Sequence, residues 1–441
     1  MSTSEYTAPA EPGVGARTRP NVVSRARAWQ MTVLLASLYV INYADKAILG
    51  IIAQPLAREL GLTSAQIGLV GSLFFLAFTI GGFFAGAINR YTTLRWALLA
   101  LAAAWSVVML PLVLAASMTM LIVCRMLLGL AEGPSAALVH TAAYSWHPAV
   151  KRGLPSAFIA SAASVAKIAL APALAYITIE FGWRTAVVSL TILGVAWMLV
   201  WTATWTEGPF TKKVATTAAD TAVADVEPSV PWARILLSRT FVSCAVLIAS
   251  VYALSTVVLT WLPSYFELGL GYSALQAGSM FAIPSIIALV LMLSSATVTD
   301  RLLQRGATSR TLRAVVPGIA VLIGGAALVF LPQIGTPALA VVAVSIGYGC
   351  VAAVVPLLNA AISELCPPQQ TAGTMGTFLA LMAVGGLIAP FATGLLVDHA
   401  ATKAEGYAQA FQYVGIAGII GAVLVLVFAN PERDKAAIRG R

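Results

Sequence analysis

The 441-residue chain is 59% hydrophobic and only 10% charged, with a mean hydropathy of +0.89. Soluble domains carry about 25% charged residues, so this chain cannot cover a water-facing surface of its size, and an all-α integral membrane fold is expected. The net charge of +9 does not indicate nucleic acid: the cations gather in short segments between apolar runs, without a basic helix or an aromatic-basic platform.

In chain order, residues 1–28 form a polar, arginine-bearing tail. The first apolar run starts near Trp29. It outlasts a signal-peptide core, holds Asp45 and Lys46, and has no small-residue cleavage site behind it, so the N-terminus is expected to be retained. Stretches long enough for about 30 Å of hydrocarbon cover 29–53, 65–89, 94–115, 118–145, 153–180 and 183–205. A polar segment, 206–237, reads as a flexible linker. Six further stretches cover 238–265, 273–299, 311–332, 336–364, 370–397 and 407–429, and a short tail, 430–441, follows. The spacing thus predicts twelve transmembrane helices in two six-helix bundles, 29–205 and 238–429. Cys124, Cys244, Cys350 and Cys366 fall in or beside apolar runs without C-x-x-C spacing, which points to packing and not to disulfides or zinc.

Charge placement orients the spans. Arg17, Arg19, Arg25 and Arg27 precede the first, and Arg90, Arg95, Lys151, Arg152, Lys212, Lys213, Arg234 and Arg239 occupy the even-numbered connections of the first half. Arg301, Arg305, Arg310, Arg313, Arg433, Lys435, Arg439 and Arg441 continue that side, leaving Arg58, Arg184 and Lys403 for the other. The positive-inside rule makes both termini cytoplasmic, in a multi-pass protein of an inner, cytoplasmic membrane.

The chain repeats itself. Glu59-Leu60-Gly61-Leu62, followed by Gln66 and Gly68, recurs as Glu267-Leu268-Gly269-Leu270, followed by Gln276 and Gly278. Asn89-Arg90 matches Asp300-Arg301, and Ala171-Pro172 matches Ala389-Pro390. Three matches in sequential register imply two six-helix pseudo-repeats of the same orientation.

An ionised side chain near the membrane centre costs about 2.5–3.5 kcal/mol, so each one is compensated or useful. Asp45 and Lys46 lie in span 1, Arg125 and Glu132 in span 4, and Lys167 in span 5; the second half has only Glu364, near a span end. Arg125 and Glu132, two helical turns apart, share a face and need partners elsewhere. Asp45 is the expected counter-ion of Arg125, with Lys46 turned toward a different sector. A structural ion-pair cluster is the bland alternative, but buried pairs stabilise weakly, and two acids beside three cations suit a switch in which protonation of an acid releases its cation. With both acids ionised the residual charge of this group suits a monoanion. Lys167 is a second candidate for substrate or pair contact, against snorkelling.

Neutral candidates follow: Asn42 and Tyr43 beside the span 1 pair, Phe78 on a face shared with Phe74, Tyr252 in span 7, Gln276 in span 8, Asn359 in span 10 and Thr374 in span 11. Helix–helix hydrogen bonding is the competing explanation for the polar ones, and packing for His140. The sparse polar lining of the second half leans toward a less hydroxylated, aromatic acid over a sugar acid.

Asn42-Tyr43-Ala44-Asp45-Lys46, the run from Arg125 through Leu128-Gly129 to Glu132-Gly133-Pro134, Trp146-His147-Pro148 before Lys151-Arg152-Gly153, Phe181-Gly182-Trp183-Arg184 and Thr260-Trp261-Leu262-Pro263 resemble the anion:cation symporter family of the major facilitator superfamily. The likeness spans the chain. It implies proton-coupled import of a small organic anion, with Asp45 and Glu132 as protonating acids, Arg125 as their partner and Lys46 holding the substrate carboxylate. Lys46 stands where arginine is commoner, which loses the bidentate fork. It also implies a cytoplasmic gate formed by Asn89, Arg90 and Arg95 in the first half and Asp300, Arg301 and Arg305 in the second, with Asn89 replacing the signature aspartate.

The reading is a secondary active transporter working by alternating access, with a small organic anion, protons and the lipid bilayer as its partners and no cofactor, metal or nucleic acid; a monomer is expected. Proton-driven export of a small organic or drug-like molecule is the rival on the same fold. A non-transporting sensor would add a signalling domain that the short tails cannot hold. Enzyme chemistry is not indicated: only three histidines occur, and none stands in a metalloprotease or nucleophile–base pattern.

Overall fold

The computed structural model of the protein describes residues 5–6, 23–147, 153–210, 229–367 and 370–439, without the side chains at 5, 6, 23, 24, 153, 296, 300, 304 and 372. The side chain of Asp300, the cations Lys151, Arg152, Lys212 and Lys213, most of the N-terminal tail and the centre of the linker therefore lie outside the described residues.

Among the described residues, twelve helices are long and apolar enough to cross a bilayer. Spans 1 to 6 are Arg25–Leu60, Ser64–Gly82, Leu94–Leu114, Met118–Tyr144, Leu154–Phe181 and Trp183–Thr204. Spans 7 to 12 are Arg239–Gly269, Ala274–Leu303, Thr311–Gln333, Pro337–Leu365, Gly373–His399 and Lys403–Phe428. The expected boundaries differ mainly at span 1, which runs on past Pro55 inside the helix. Its 36 residues at 1.5 Å each exceed the hydrocarbon thickness, so polar ends project at both sides. Besides the helices, Glu5–Tyr6 pairs antiparallel with Val23–Ser24.

The internal repeat writes the same start signal twice. After Gly61, at φ 65°, Thr63 N donates to Gln66 Oε1 (2.9 Å) and Gln66 N to Thr63 Oγ1 (3.2 Å), opening span 2. After Gly271, at φ 78°, Ser273 N donates to Gln276 Oε1 (3.0 Å) and Gln276 N to Ser273 Oγ (3.3 Å), opening span 8. Both are capping boxes that satisfy orphan N–H groups of the first turn. Span 7 ends in a π turn at Tyr265–Gly269, which takes in most of the second Glu-Leu-Gly-Leu run.

The chain forms two compact units. One comprises Met1–Lys46, Ala77–Ala166 and Arg184–Ala222, and the other Ala47–Leu76, Lys167–Trp183 and Val223–Arg441. Spans 1, 2 and 5 pass from one unit to the other part-way along.

In the first unit, Trp197, Trp201 and Trp205 repeat at i, i+4 on span 6 and stack at 4.9 and 4.2 Å. Trp197 Nε1 donates to Leu34 O of span 1 (2.8 Å) and Trp201 Nε1 to Arg95 O of span 3 (3.0 Å), so these two buried indoles are satisfied while their rings pack, whereas Trp205 Nε1 has no partner among the described residues.

The second unit is closely packed at one end. At the end bearing residues 61–63 and 270–273, spans 1, 2 and 5 lie against spans 7, 8 and 11 with almost no side chain between backbones. A Cβ on Gly50 would overlap Leu259 O, one on Gly68 would overlap Pro390 O, and one on Gly278 would overlap Ala175 Cβ. Polar contacts close the same end: Gln54 Nε2 donates to Ser264 Oγ (3.0 Å), and Ser64 N and Ala65 N donate to the Asp398 carboxylate (3.0 and 2.6 Å). Small residues that let helix backbones meet are the usual device for packing without a hydrophobic drive.

Candidate ion-coupling and substrate site

In the first unit, span 1 carries Tyr39, Asn42, Tyr43 and Lys46 at i, i+3, i+4 and i+7, one helical stripe. Span 4 brings Arg125 and Glu132, 2% and 0% exposed. Its first turn is capped by Ser117 Oγ, which accepts from Met120 N (3.1 Å). Directly after Glu132, Gly133 abuts span 2: a Cβ there would overlap Phe78 O. The missing side chain thus sets Glu132 and Phe78 beside the span 1 stripe.

Lys46 is the hub. Its Nζ donates to Asn42 Oδ1, lies 3.5 Å from Glu132 Oε2, and stands 4.5 Å from the Tyr43 and 4.8 Å from the Phe78 ring centroid, with Tyr39 at 5.8 Å. This is a buried ammonium in an aromatic cage with one carboxylate. Arg125 Nη1 donates to the main-chain carbonyl of Asp45 (2.9 Å). Lys46 turns with its stripe toward Glu132, about 100° round span 1 from Asp45, while Arg125 reaches the Asp45 main chain. Both Glu132 oxygens and Asn42 Nδ2 are buried without a hydrogen-bond partner among the described residues.

In the second unit, Lys167 lies on a π turn, Ala166–Leu170, just before Pro172. It is 5% exposed and does not snorkel; its Nζ donates to the Tyr348 hydroxyl of span 10 (2.7 Å). Tyr252 packs edge-on to Phe75 (5.8 Å). Asn359 Oδ1 is buried without a partner among the described residues. Thr374 Oγ1 donates back to Gln370 O (3.0 Å), an intrahelical bond. Gln276 is exposed and committed to its capping box, which corrects its reading as a substrate contact: a polar residue at the head of an apolar run was a helix start. His140 Nδ1 contacts Ala136 O (2.8 Å), a packed histidine.

The expected gate residues lie at helix ends. In the first unit Asn89 and Arg90 are exposed, and Arg95 Nη2 donates to Thr202 O (2.8 Å). In the second, Arg301 and Arg305 are exposed. Glu364 is engaged nearby: it pairs with Arg313 and accepts from Ser309 Oγ (2.6 Å), while Arg439 Nη2 reaches its carbonyl (3.2 Å). Among the described residues no group of three or more His, Cys, Asp or Glu could hold a metal ion.

Three contributors escaped the sequence. Tyr39 was available from the helical stripe ending at Lys46. Tyr348 carries only the weak signal of flanking glycines, Gly347 and Gly349. Asp398 carries none, because its partners are main-chain N–H groups of another span.

The sequence profile of the Major Facilitator Superfamily matches residues 35–355 and 319–441. The chain belongs to the major facilitator superfamily. This major facilitator protein is a multi-pass membrane transporter and not an enzyme. It is 26% identical over 408 residues to the hexuronate transporter of Bacillus subtilis, covering 90% of this chain and 94% of that one. It is also 26% identical over 430 residues to the probable galactarate/D-glucarate transporter GudP of the same organism, covering 91% and 92%. Among solved structures, a bacterial homolog of the human lysosomal transporter Spinster, in an inward-facing and occupied conformation, superposes with a TM-score of 0.75 at 16% identity, covering 93% of this chain and 98% of that one. That likeness concerns the fold.

Proposed function

We propose that the protein imports a small organic carboxylate together with protons, by alternating access, across a cytoplasmic membrane with both termini inside. The observation that carries this reading is the Lys46–Glu132 pair: two opposite charges, 5% and 0% exposed, 3.5 Å apart in a membrane span. Such a pair is a poor structural fastener and a good two-position switch. The relatives named for sugar-acid transport support an anionic substrate, and the loop cations support the orientation.

In the cycle, protonation of Glu132 and Asp45 from outside dissolves the pair and frees the Lys46 ammonium. The substrate carboxylate takes the place of Glu132 on Lys46, inside the cage of Tyr43 and Phe78. The backbone seal at residues 50, 68 and 278 then keeps the outside closed while anion and protons leave to the cytoplasm. Asn89, Arg90 and Arg95 with Asp300, Arg301 and Arg305 latch the cytoplasmic side in the opposite state, and the working unit is a monomer.

Glu132→Gln tests this in proteoliposomes loaded with D-glucuronate, D-galactonate or 4-hydroxybenzoate. Counterflow exchange is expected to persist while accumulation driven by an inward proton gradient disappears. Gradient-driven accumulation in that variant would remove Glu132 from coupling, and accumulation driven only by the reverse gradient would replace import with export.

A further inference from the structure

Among the described residues Lys46 has an anion of the chain beside it and Lys167 has none. Lys167 sits 5% exposed within span 5 and Tyr348 6% exposed within span 10, and both belong to the second compact unit. Lys167 Nζ lies 2.7 Å from the Tyr348 hydroxyl oxygen and 4.8 Å from the ring centroid. Those two distances put the ammonium at a lone pair of the hydroxyl, beside the ring and not over its face, so the quadrupole of the ring compensates little of the charge. Among the described residues no carboxylate pairs with Lys167. An ammonium has three donors, and one is used on a neutral oxygen.

A buried charge with a neutral partner is expensive, and the surroundings add unspent hydrogen bonding. Ser345, one turn before Tyr348 on span 10, is 0% exposed, and its Oγ has no partner among the described residues. Serine in a helix ordinarily bonds back to its own backbone, as Ser250 does to Leu247 O (2.7 Å); Ser345 does not. Lys167 also rides on a π turn, an irregularity frequent at functional sites. It is set by Pro172, which lacks the N–H that would bond Ile168 O.

We infer that Lys167 and Tyr348 form a carboxylate seat of the transporter, in which ammonium and phenol both donate to one carboxylate of the substrate and Ser345 takes a neighbouring oxygen. The inference rests on the proposed transport of an organic acid, and it adds to Lys46 a second anion-binding charge, the one left open while Glu132 holds that lysine. Binding replaces the single Lys167–Tyr348 bond with two charge-assisted ones.

The test measures binding, by thermal stabilisation and titration, of D-glucuronate and 4-hydroxybenzoate against their uncharged amides, D-glucuronamide and 4-hydroxybenzamide, on the purified full-length protein in lipid nanodiscs. The wild type is expected to prefer acid over amide by about a hundredfold, the scale of hydrogen bonds to charged groups. Lys167→Gln should bring acid and amide within about threefold of each other, with acid binding losing far more than amide binding. Lys167→Arg should restore most of the preference, and Tyr348→Phe should lower acid affinity about tenfold. Should Lys167→Gln not fold, the Lys167→Arg and Tyr348→Phe comparison decides. Acid preference surviving in Lys167→Gln or untouched by Tyr348→Phe overturns the seat, as does an equal loss of acid and amide. Absence of acid preference in the wild type would instead overturn the carboxylate reading of the whole protein.

Discussion

Lys46 Nζ and Glu132 Oε2 face each other at 3.5 Å with both side chains withdrawn from solvent, and the same lysine is tethered by Asn42 on its own helix. Removing one member of such a pair costs about 3–5 kcal/mol, whereas replacing both by apolar groups is often neutral or stabilising. Lys46→Met and Glu132→Leu are each expected to lower the melting temperature, and the double substitution to regain most of it while transporting nothing. Melting curves with counterflow on the four proteins form a double-mutant cycle. A double variant no more stable than its parents would mean that the pair holds the helices and does not switch.

The backbone seal predicts the opposite sensitivity. A methyl group at Gly68 meets the Pro390 carbonyl, and forced packing costs about 1–3 kcal/mol. Gly68→Ala should therefore populate conformations in which residues 61–76 have drawn away from span 11. Ser72, whose Oγ accepts from Phe391 N (3.1 Å) and which is 3% exposed, reports on this: a thiol introduced by Ser72→Cys should label about tenfold faster in the Gly68→Ala background, the factor for 1.4 kcal/mol. Equal labelling would show that the close approach is not what keeps this end shut.

Asp398 acts on the same end by charge. Its two oxygens satisfy the N–H groups of Ser64 and Ala65 at the head of span 2, where the helix dipole also favours an anion. Asp398→Ala should cost about 1–2 kcal/mol and raise hydrogen exchange in the peptide covering 61–68, with Asp398→Asn intermediate. Unchanged exchange would leave the local Thr63–Gln66 box as the only cap that matters.

The Pro431–Arg439 helix gives a pH prediction. Asp434 accepts from Thr240 N (2.8 Å) and from Arg433 Nε (2.7 Å). Burial pushes its carboxyl up, but these hydrogen bonds together outweigh burial and hold it below its ordinary 3.8. A carboxyl depressed in the folded state adds stability above its unfolded value and loses it as pH falls through the folded one. The melting difference between wild type and Asp434→Asn should thus be constant at neutral pH and shrink below pH 3.8. A difference that grows on acidification would contradict the assignment.

Span placement was legible because hydrocarbon thickness imposes a run length that no other constraint in this chain obscures. The repeat was legible too, though its meaning was not: Gln66 and Gln276 matched as letters, and only the bonds to Thr63 and Ser273 show that they matched as helix starts. Span 1, read from the sequence as 29–53, runs on past Pro55 to Leu60, since at the last turns of so long a helix the bond that proline loses falls where water can repair it. The partner of Lys46 could not be read, because Arg125 and Glu132 share a face and helical phase alone cannot rank two acids against two bases. The close approaches in the second unit were hidden for a different reason. They set glycine against carbonyl, at Gly50 with Leu259 and Gly68 with Pro390, and a main-chain oxygen leaves no letter in a sequence.

The twin capping boxes have a bearing on how the chain is made. Each lies wholly within four consecutive residues, Thr63 to Gln66 and Ser273 to Gln276, so neither waits for a distant segment to arrive. A nascent hairpin can fix the phase of its second helix while it is still being threaded into lipid, and the long-range clasp from Asp398, synthesised far later, then arrives at a helix whose first turn is already in register.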